Sequence, residues 1–394
     1  MTNAVCHFGQ SGWNQWPDSD DLSAEFLRHL GAAQEGGSTV SECFLTASRI
    51  DPKDHESWYR EWNRTADANH ERGNTALRSG NFLTAQSNWL RALSYYNAAV
   101  FDFDFTDKRL QAALANMRTC ARRCLKHRTP PGEVVEIPWL SCYPLEGYFL
   151  AAPAASAQTP VVICIGEPRH RKEEYLYKTA RYARDRGMSL LAVDLLGSDN
   201  GAQFENVVGR PDLEMAVSYI MEYLTTRDDV DKRRIAILGD GSGSFVARGV
   251  ALDHRFAAAV CDGGIWDLQE RAFLANHIAP RDAAGIPASL TSNGVAPNLK
   301  CPVLITIGEH GWLEPERVNV LIEQLKTAQS NITLKIFTGA ETAASQGHAD
   351  NPTLANEFIF DWIADRLECN AVQTHNAHNA HTPRSDTLID GTAR

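Results

Sequence analysis

The sequence predicts an α/β protein in which a mostly parallel sheet, covered by helices on both faces, follows an all-helical N-terminal segment. From Glu133 onward, short apolar runs of strand length alternate with helical stretches. The later runs, such as residues 160–166 and 234–239, are almost continuously apolar, which is typical of parallel strands that are buried on both faces. Before about residue 130 this alternation is missing, and the residues show helical periodicity instead.

The pattern places each element along the chain. We expect strands at residues 134–140, 147–152, 160–166, 189–194, 234–239, 257–261, 302–308 and 333–337. We expect helices at residues 54–77, 82–100 and 106–127, and between the strands at 172–186, 211–226 and 315–327. Residues 1–130 then form a helical cap domain, residues 131–368 the α/β domain and residues 369–394 a disordered polar tail. In such a sheet, ligands bind at the carboxyl ends of the strands.

Composition narrows the class of partner. The chain has 394 residues, is 43% hydrophobic and carries a formal net charge of −11. This acidic balance argues against a nucleic-acid partner, whose phosphates need a basic surface. The apolar runs are far shorter than the roughly 20 residues of a membrane helix, and the N-terminus does not resemble a signal segment. We therefore predict a cytoplasmic protein with a small-molecule substrate and no membrane partner, for which a homodimer is allowed.

No metal or cofactor is predicted. The nine cysteines are scattered, and several lie in or beside strand-like runs, as reduced core thiols do. Cys120 and Cys124 with His127 could hold a metal ion, but nothing else completes a four-ligand set, and core packing explains them better. Histidines 375, 378 and 381 in the tail could bind a transition metal only weakly. A dinucleotide fingerprint and a P-loop are both missing.

The most informative motif is a glycine-rich turn between a strand and a helix. Residues 235–244 read IAILGDGSGS, the pattern of a nucleophile elbow, in which a sharp turn tolerates only small residues around the nucleophile. When the motif is aligned on Gly239 and Gly243, the apex that normally holds serine is Gly241. The turn is therefore present without its hydroxyl.

Several further segments carry a family resemblance. They are the helical N-terminus, the elbow, residues 301–309, the pair Gly347-His348, and residues 354–356 and 360–362. Together they resemble the dihydroxypseudooxynicotine hydrolase and fungal pigment chain-shortening subfamily of α/β-hydrolases, over most of residues 10–368. The resemblance implies an α/β-hydrolase fold, a helical domain over the active site, and cleavage of esters or of carbon–carbon bonds next to ketones by a Ser-His-Asp triad.

Carried over by position, the triad is incomplete in this chain. His348 matches the catalytic histidine of the family, whereas the nucleophile falls on Gly241 and the acid on Gly311. The oxyanion segment, where relatives have two glycines, reads Gly166-Glu167, and a carboxylate there would repel an oxyanion.

We therefore hypothesise cofactor-free acid/base chemistry, such as cyclisation, isomerisation, elimination or carbon–carbon cleavage of a keto- or acyl-bearing small molecule. His348 would move the proton. Asp262, at the end of the strand beside the elbow, would orient it, although this side chain could equally cap the turn that follows. Glu309 is a second candidate for that partner. The backbone N–H groups of Gly241 and Ser242 would bind an enolate oxygen.

Four positions are predicted to contact the substrate: Gly241, Asp240, Glu167 and Arg169. For the charged ones, a solvated loop explains the sequence nearly as well. Two other functions stay open. The protein could be a hydrolase that uses Ser242 as its nucleophile, one residue past the apex, or it could be a catalytically silent binding protein.

Overall fold

The computed structural model describes residues 15–103, 107–140, 143–153, 158–166, 170–194, 213–265, 299–311, 319, 323 and 331–369. Within this part of the chain eight strands form one sheet, in the order β1-β2-β4-β3-β5-β6-β7-β8. The strands are β1 (Glu133–Leu140), β2 (Tyr143–Leu150), β3 (Thr159–Gly166), β4 (Ser189–Val193), β5 (Val230–Asp240), β6 (Ala258–Asp262), β7 (Val303–Gly308) and β8 (Ile332–Phe337).

The sheet is mostly parallel, as predicted. Strand β2 runs antiparallel to both of its neighbours, β1 and β4. The other five pairs, from β4 and β3 across to β7 and β8, are parallel. The carboxyl ends of β3, β5, β6 and β7 therefore meet at one edge of the sheet, which is the position where ligands bind in α/β folds.

Side chains alternate between two cores along each central strand. In β3, Val162 and Cys164 belong to a core that the N-terminal helices share, whereas Val161, Ile163 and Ile165 belong to the core on the opposite face. All five are fully buried. Because side chains in a strand point alternately to the two faces, this division explains why the strands read as continuous apolar runs.

Ten α-helices are described. They are α1 (Asp20–Gly31), α2 (Val40–Ala47), α3 (His55–Arg78), α4 (Phe82–Ala99), α5 (Lys108–Lys126), α6 (Tyr175–Lys178), α7 (Ala180–Asp185), α8 (Met215–Thr226), α9 (Gly243–Leu252) and α10 (Pro352–Arg366). Helices α3 and α5 begin where the side chains of Asp54 and Asp107 accept hydrogen bonds from the N–H groups of Glu56 and Arg109. An aspartate at this position satisfies an N–H group that has no partner within the helix.

The predicted helix at residues 172–186 is wrong in detail. The segment consists of a 3-10 turn, Lys172–Glu174, followed by the short helices α6 and α7. The break is at Thr179, whose φ of −126° is not helical and whose hydroxyl donates to the carbonyl oxygen of Tyr175 at 3.3 Å. The Thr179 N–H donates to the same carbonyl at 3.2 Å, so the chain turns there without losing this backbone bond. The predicted helix at 315–327 lies outside the described residues except for positions 319 and 323, as does the tail beyond residue 369.

The cysteines of the described residues are free thiols. Six of these seven cysteines are buried. Burial raises the pKa of Cys43 and of Cys120 to about 12, because a thiolate is poorly solvated in an apolar core. The described residues contain no histidine, cysteine and carboxylate cluster that could hold a metal ion. They also contain no helix with the length and apolarity needed to cross a bilayer.

The close packing of α9 against β6 gives a test of the fold. A Cβ atom on Gly243 would lie 1.9 Å from the carbonyl oxygen of Gly264 and 2.7 Å from Cβ of Cys261. We expect Gly243→Ala to lower the free energy of unfolding by about 3 kcal/mol, because backbone must move. Gly36→Ala is the comparison, since Gly36 has a φ of 81° but no atom within 4 Å of the added Cβ. It should cost about 1 kcal/mol, from backbone strain alone. Urea unfolding measures both, and an equal or smaller loss for Gly243→Ala would contradict this packing.

Candidate active site

Three polar side chains lie in a row across the carboxyl ends of neighbouring strands. Asp240 on β5 pairs in register with Asp262 on β6, and Asp262 pairs with Thr306 on β7. Residues in register point to the same face of a sheet. Leu238 and Val260, two residues before the aspartates, belong to the core shared with the N-terminal helices. The polar row therefore lies under those helices.

The glycine-rich turn has the geometry of an elbow. Gly241, at its apex, has a φ of 72°, a conformation that few residues other than glycine adopt without strain. The flanking glycines are sterically required. A Cβ on Gly239 would lie 2.8 Å from Cγ2 of Val246, and Gly243 has the closer contacts described above. The sharp turn is thus preserved, and its apex carries no side chain.

The Gly241 N–H group is already in use. It donates to the carbonyl oxygen of Asp262 at 2.9 Å and so extends the ladder between β5 and β6 by one more bond. The expectation that this N–H binds an enolate oxygen is therefore wrong for the described geometry. Of the two N–H groups expected to bind an oxygen anion, the one on Gly241 is therefore not available.

The Ser242 hydroxyl also has a structural partner. Its Oγ donates to the carbonyl oxygen of Ile165 in β3 at 2.9 Å, and the residue sits at the N-terminal end of α9. The side chain is therefore bound to the backbone of the sheet. Among the described residues, Ser242 makes no hydrogen bond to a histidine that could remove its proton.

His348 is held on both ring nitrogens. The residue lies in a 3-10 turn, Gln346–His348, with a φ of 56°, and is 2% exposed. Its Nδ1 lies 2.6 Å from the carbonyl oxygen of Ala343, and its Nε2 lies 2.9 Å from Oδ1 of Asp262. Because a carbonyl oxygen can only accept, Nδ1 carries a proton. The second exchangeable proton of the pair then lies between Nε2 and the Asp262 carboxylate.

Electrostatics favour the doubly protonated ring. Burial of His348 disfavours its charge, but the Asp262 carboxylate, the Ala343 carbonyl and the more distant Asp350 outweigh this and raise the pKa of the imidazole. The ring edge of Phe337 packs on the imidazole, with the ring centroids 4.8 Å apart. The side chain therefore has a fixed orientation and an elevated proton affinity.

Asp262, and not His348, faces the open space. A cleft of about 890 Å³ is lined by Asp262, Gly241, Asp240 and, from the histidine turn, Gly347, whereas His348 lies behind this lining. Oδ1 of Asp262 accepts two hydrogen bonds, from His348 and from the Thr306 hydroxyl at 2.7 Å. The other carboxylate oxygen has no hydrogen-bond partner within the described chain. The sequence-predicted pair thus meets, with the carboxylate toward the cleft and the imidazole behind it.

A second charged group lies beside this pair. Asp240 is 5% exposed and accepts hydrogen bonds from the Lys178 ammonium and from the Tyr175 hydroxyl at 3.2 Å, while Nδ1 of His170 lies 3.4 Å from its carboxylate. Burial opposes the charge of Asp240, but Lys178 and His170 outweigh it and hold the pKa of this carboxyl well below its usual range. Asp240 therefore stays ionised.

Helix α1 forms a wall of the cleft. Arg28 of α1 forms an ion pair with Glu174, the last residue of the 3-10 turn Lys172–Glu174. It forms a second ion pair with Glu25, one helical turn earlier, at 3.1 Å. Although burial opposes its charge, the pairing with Arg28 and His29 lowers the pKa of Glu25 to about 2. The pair between Arg28 and Glu174 holds α1 beside the cleft, so the N-terminal helices contribute residues to the site.

Glu309 and Gly311 contribute no side chain to this pair. Glu309 accepts from the Gly339 N–H at 2.5 Å and does not contact His348. Gly311, the family's acid position, offers no side chain. Glu167 and Arg169 lie outside the described residues, so the structure does not place them.

Sequence reasoning missed Lys178 and Thr306. Thr306 is a single polar residue inside the apolar strand β7, and Lys178 is a cation at the end of a helix whose inner face is apolar. Both interrupt a buried pattern, which is the one signal that could have drawn attention to them.

Comparisons with known proteins agree with this fold. The chain is 29% identical over 273 residues to the hydrolyase poxO of Penicillium oxalicum, a match that covers 66% of this chain and 64% of that protein. It is 30% identical over 255 residues to the 20-hydroxy-prefusarin hydrolase FUS2 of Gibberella moniliformis, with coverages of 62% and 61%. The matched region therefore spans less than two thirds of each relative. No family model matches the chain.

Solved structures extend the similarity to most of the chain. The crystal structure of 2,6-dihydroxy-pseudo-oxynicotine hydrolase superposes with a TM-score of 0.68 at 21% identity and covers 86% of this chain and 95% of its own. The structure titled AbyA5 wildtype superposes with a TM-score of 0.57 at 16% identity, with coverages of 88% and 98%. The sheet order, the N-terminal helices and these similarities confirm the predicted fold class. The chain has the α/β-hydrolase fold.

Proposed function

We propose that this protein is an enzyme that performs cofactor-free acid/base chemistry on a keto- or acyl-bearing small molecule, with Asp262 and His348 acting as one proton-accepting unit. The observation that carries the proposal is the hydrogen bond of 2.9 Å between His348 Nε2 and Asp262 Oδ1, with the carboxylate facing the cleft. The apex of the elbow, Gly241, has no nucleophile that could form an acyl-enzyme.

The pair can accept a proton in a simple way. When a substrate C–H group approaches the open oxygen of Asp262, the carboxylate takes the proton. The proton between Nε2 and Oδ1 stays on the ring, because His348 is fixed by Ala343 and has a raised pKa. Thr306 keeps Oδ1 in place during the transfer. The Asp262 carboxylate is thus a general base that two hydrogen bonds hold in one orientation, with its open oxygen toward the cleft.

The proposal changes the role of each residue relative to the sequence-based hypothesis. There, His348 moved the proton and Asp262 oriented it. The burial of His348 behind Asp262 supports the opposite order. Cyclisation, isomerisation, elimination and carbon–carbon cleavage all begin with such a proton transfer, and the cleft has room for a small molecule.

An elimination with a neutral probe tests the base directly. In 5-nitrobenzisoxazole, a base removes the C3 proton, the C–H electrons form a nitrile, and the N–O bond breaks to give a coloured phenolate. We expect the protein to catalyse this reaction and Asp262→Asn to slow it by at least about 100-fold, the lower end of what a general base contributes.

Asp231→Asn is the matched control, because Asp231 lies at the opposite end of strand β5 and pairs with Arg234 at 2.7 Å. It should keep the wild-type rate. Wild-type turnover that is no faster than that of Asp262→Asn would contradict the proposed function.

The second candidate is a serine hydrolase, which the names of the relatives favour. It would require Ser242 to leave its hydrogen bond to Ile165 and to meet a base. We expect a fluorophosphonate probe to leave Ser242 unmodified under conditions in which a known serine hydrolase is fully labelled, as followed by peptide mass spectrometry. A stoichiometric adduct on Ser242 would overturn the acid/base proposal in favour of ester chemistry.

A further inference from the structure

We propose that Lys178 is a catalytic residue that stabilises the negative charge developing on the substrate oxygen, in the role that backbone N–H groups usually have at this position. The inference rests on the proposed acid/base function and names a second group of the same site. It also defines the substrate class as a neutral carbonyl or acyl compound that becomes negatively charged only during the reaction.

Lys178 lies on the same cleft as the proposed base. Asp240, its ion-pair partner, is in register with Asp262 on the adjacent strand. Lys178, Asp240 and Asp262 all line the same cleft. The cation, held by Asp240 at the end of β5, and the proposed base, at the end of β6, therefore line one cleft, and a small molecule in it can contact both.

The ammonium group has donors to spare. It has three N–H donors, and Asp240 takes one of them. Within the described chain, the ammonium group makes no other hydrogen bond, and the Lys178 side chain, 23% exposed, lines the cleft. A substrate oxygen can thus bind without displacing Asp240.

The cation is also held in place. Asp240 is fixed by the Tyr175 hydroxyl and by His170, so it anchors the ammonium group. Burial disfavours the charge of Lys178 and Arg28 repels it, but Asp240 and Glu174 outweigh both and raise its pKa. Lys178 therefore acts as a charged hydrogen-bond donor and does not give up its proton.

The N–H of Gly241 at the elbow apex is not available to a substrate oxygen, because it is bound to the Asp262 carbonyl. A preorganised cation in a partly enclosed site can take over that task. Because Asp240 already compensates the charge of Lys178 in the folded protein, the ammonium group needs no reorganisation during the reaction.

The cleft mouth explains why the substrate enters neutral. Asp18, Asp20 and Asp21, at the start of α1, line the cleft together with the buried pairs. These carboxylates repel an anion in solution, in a chain whose net charge is −11. A neutral carbonyl compound meets no such barrier, and its charge appears beside Lys178 only as the proton leaves.

The same neutral probe tests this role. When Asp262 takes the C3 proton of 5-nitrobenzisoxazole and the N–O bond breaks, the negative charge collects on the phenolate oxygen. We expect Lys178→Met to lower kcat by about 100-fold, as the loss of one oxyanion donor does, with little change in KM. The loss should be larger for 5-chlorobenzisoxazole, whose phenolate is the poorer leaving group and needs more stabilisation.

Three further variants keep the test interpretable. Lys178→Arg retains the cation and should recover a large part of kcat. The double variant Lys178→Met/Asp240→Asn avoids an unpaired buried carboxylate and should melt like the wild type while showing the same kcat loss. Arg234→Met removes an ion pair at the other end of β5 and should leave kcat unchanged.

The outcomes separate the two proposals. Activity that depends on Asp262 but is unaffected in Lys178→Met and in the double variant would overturn the role of Lys178 alone. An equal loss for both leaving groups would also overturn it, because a merely structural role slows both alike. A wild type that does not depend on Asp262 would overturn the proposed function itself.

Discussion

The hydrogen bond between Asp262 and His348 determines how the site is arranged. It joins the end of the central strand β6 to the loop after β8, and it commits the imidazole to two acceptors, Asp262 and the Ala343 carbonyl. In this geometry the ring cannot also accept a proton from a serine at the elbow. In the proposed function the carboxylate is therefore the group that meets a substrate, and the histidine holds it in place from behind.

The partners of Asp240 and Asp262 explain why two carboxylates can lie side by side at the end of a buried sheet. Asp240 and Asp262 lie side by side on adjacent strands, where two unpaired carboxylates would repel each other. Each has its own partner: Lys178 on one side, and His348 with Thr306 on the other. In the proposed function these two neighbouring ion pairs take the place of the nucleophile and oxyanion donors that the elbow of an α/β-hydrolase normally presents, and Gly241 adds no side chain beside them.

Much of the fold could be predicted because strand burial on both faces leaves a plain apolar signal. The eight strands and the helices α3, α4 and α5 followed from it. The break at Thr179 did not, since the apolar pattern runs through it and only the backbone angle of one residue marks it. For the site, the end of β6 pointed to Asp262, and the family resemblance pointed to His348. That Asp262 faces the cleft while His348 lies behind it depends on the positive φ of His348 and on its hydrogen bond to the Ala343 carbonyl. No local sequence pattern encodes either feature.

The central claim is that His348 donates from Nδ1 at all pH values and shares its Nε2 proton with Asp262. Nitrogen-15 NMR of the histidine ring, recorded as a function of pH, measures this directly. We predict that Nδ1 remains protonated throughout while Nε2 titrates with a pKa above the ordinary histidine value of about 6.5, and that Asp262→Asn lowers this pKa because the attracting carboxylate is gone. Since the folded-state pKa is raised, the stabilisation from the pair should be complete below the unfolded value and disappear as the pH rises through the folded one. A titrating Nδ1, or a pKa that Asp262→Asn leaves unchanged, would contradict the account.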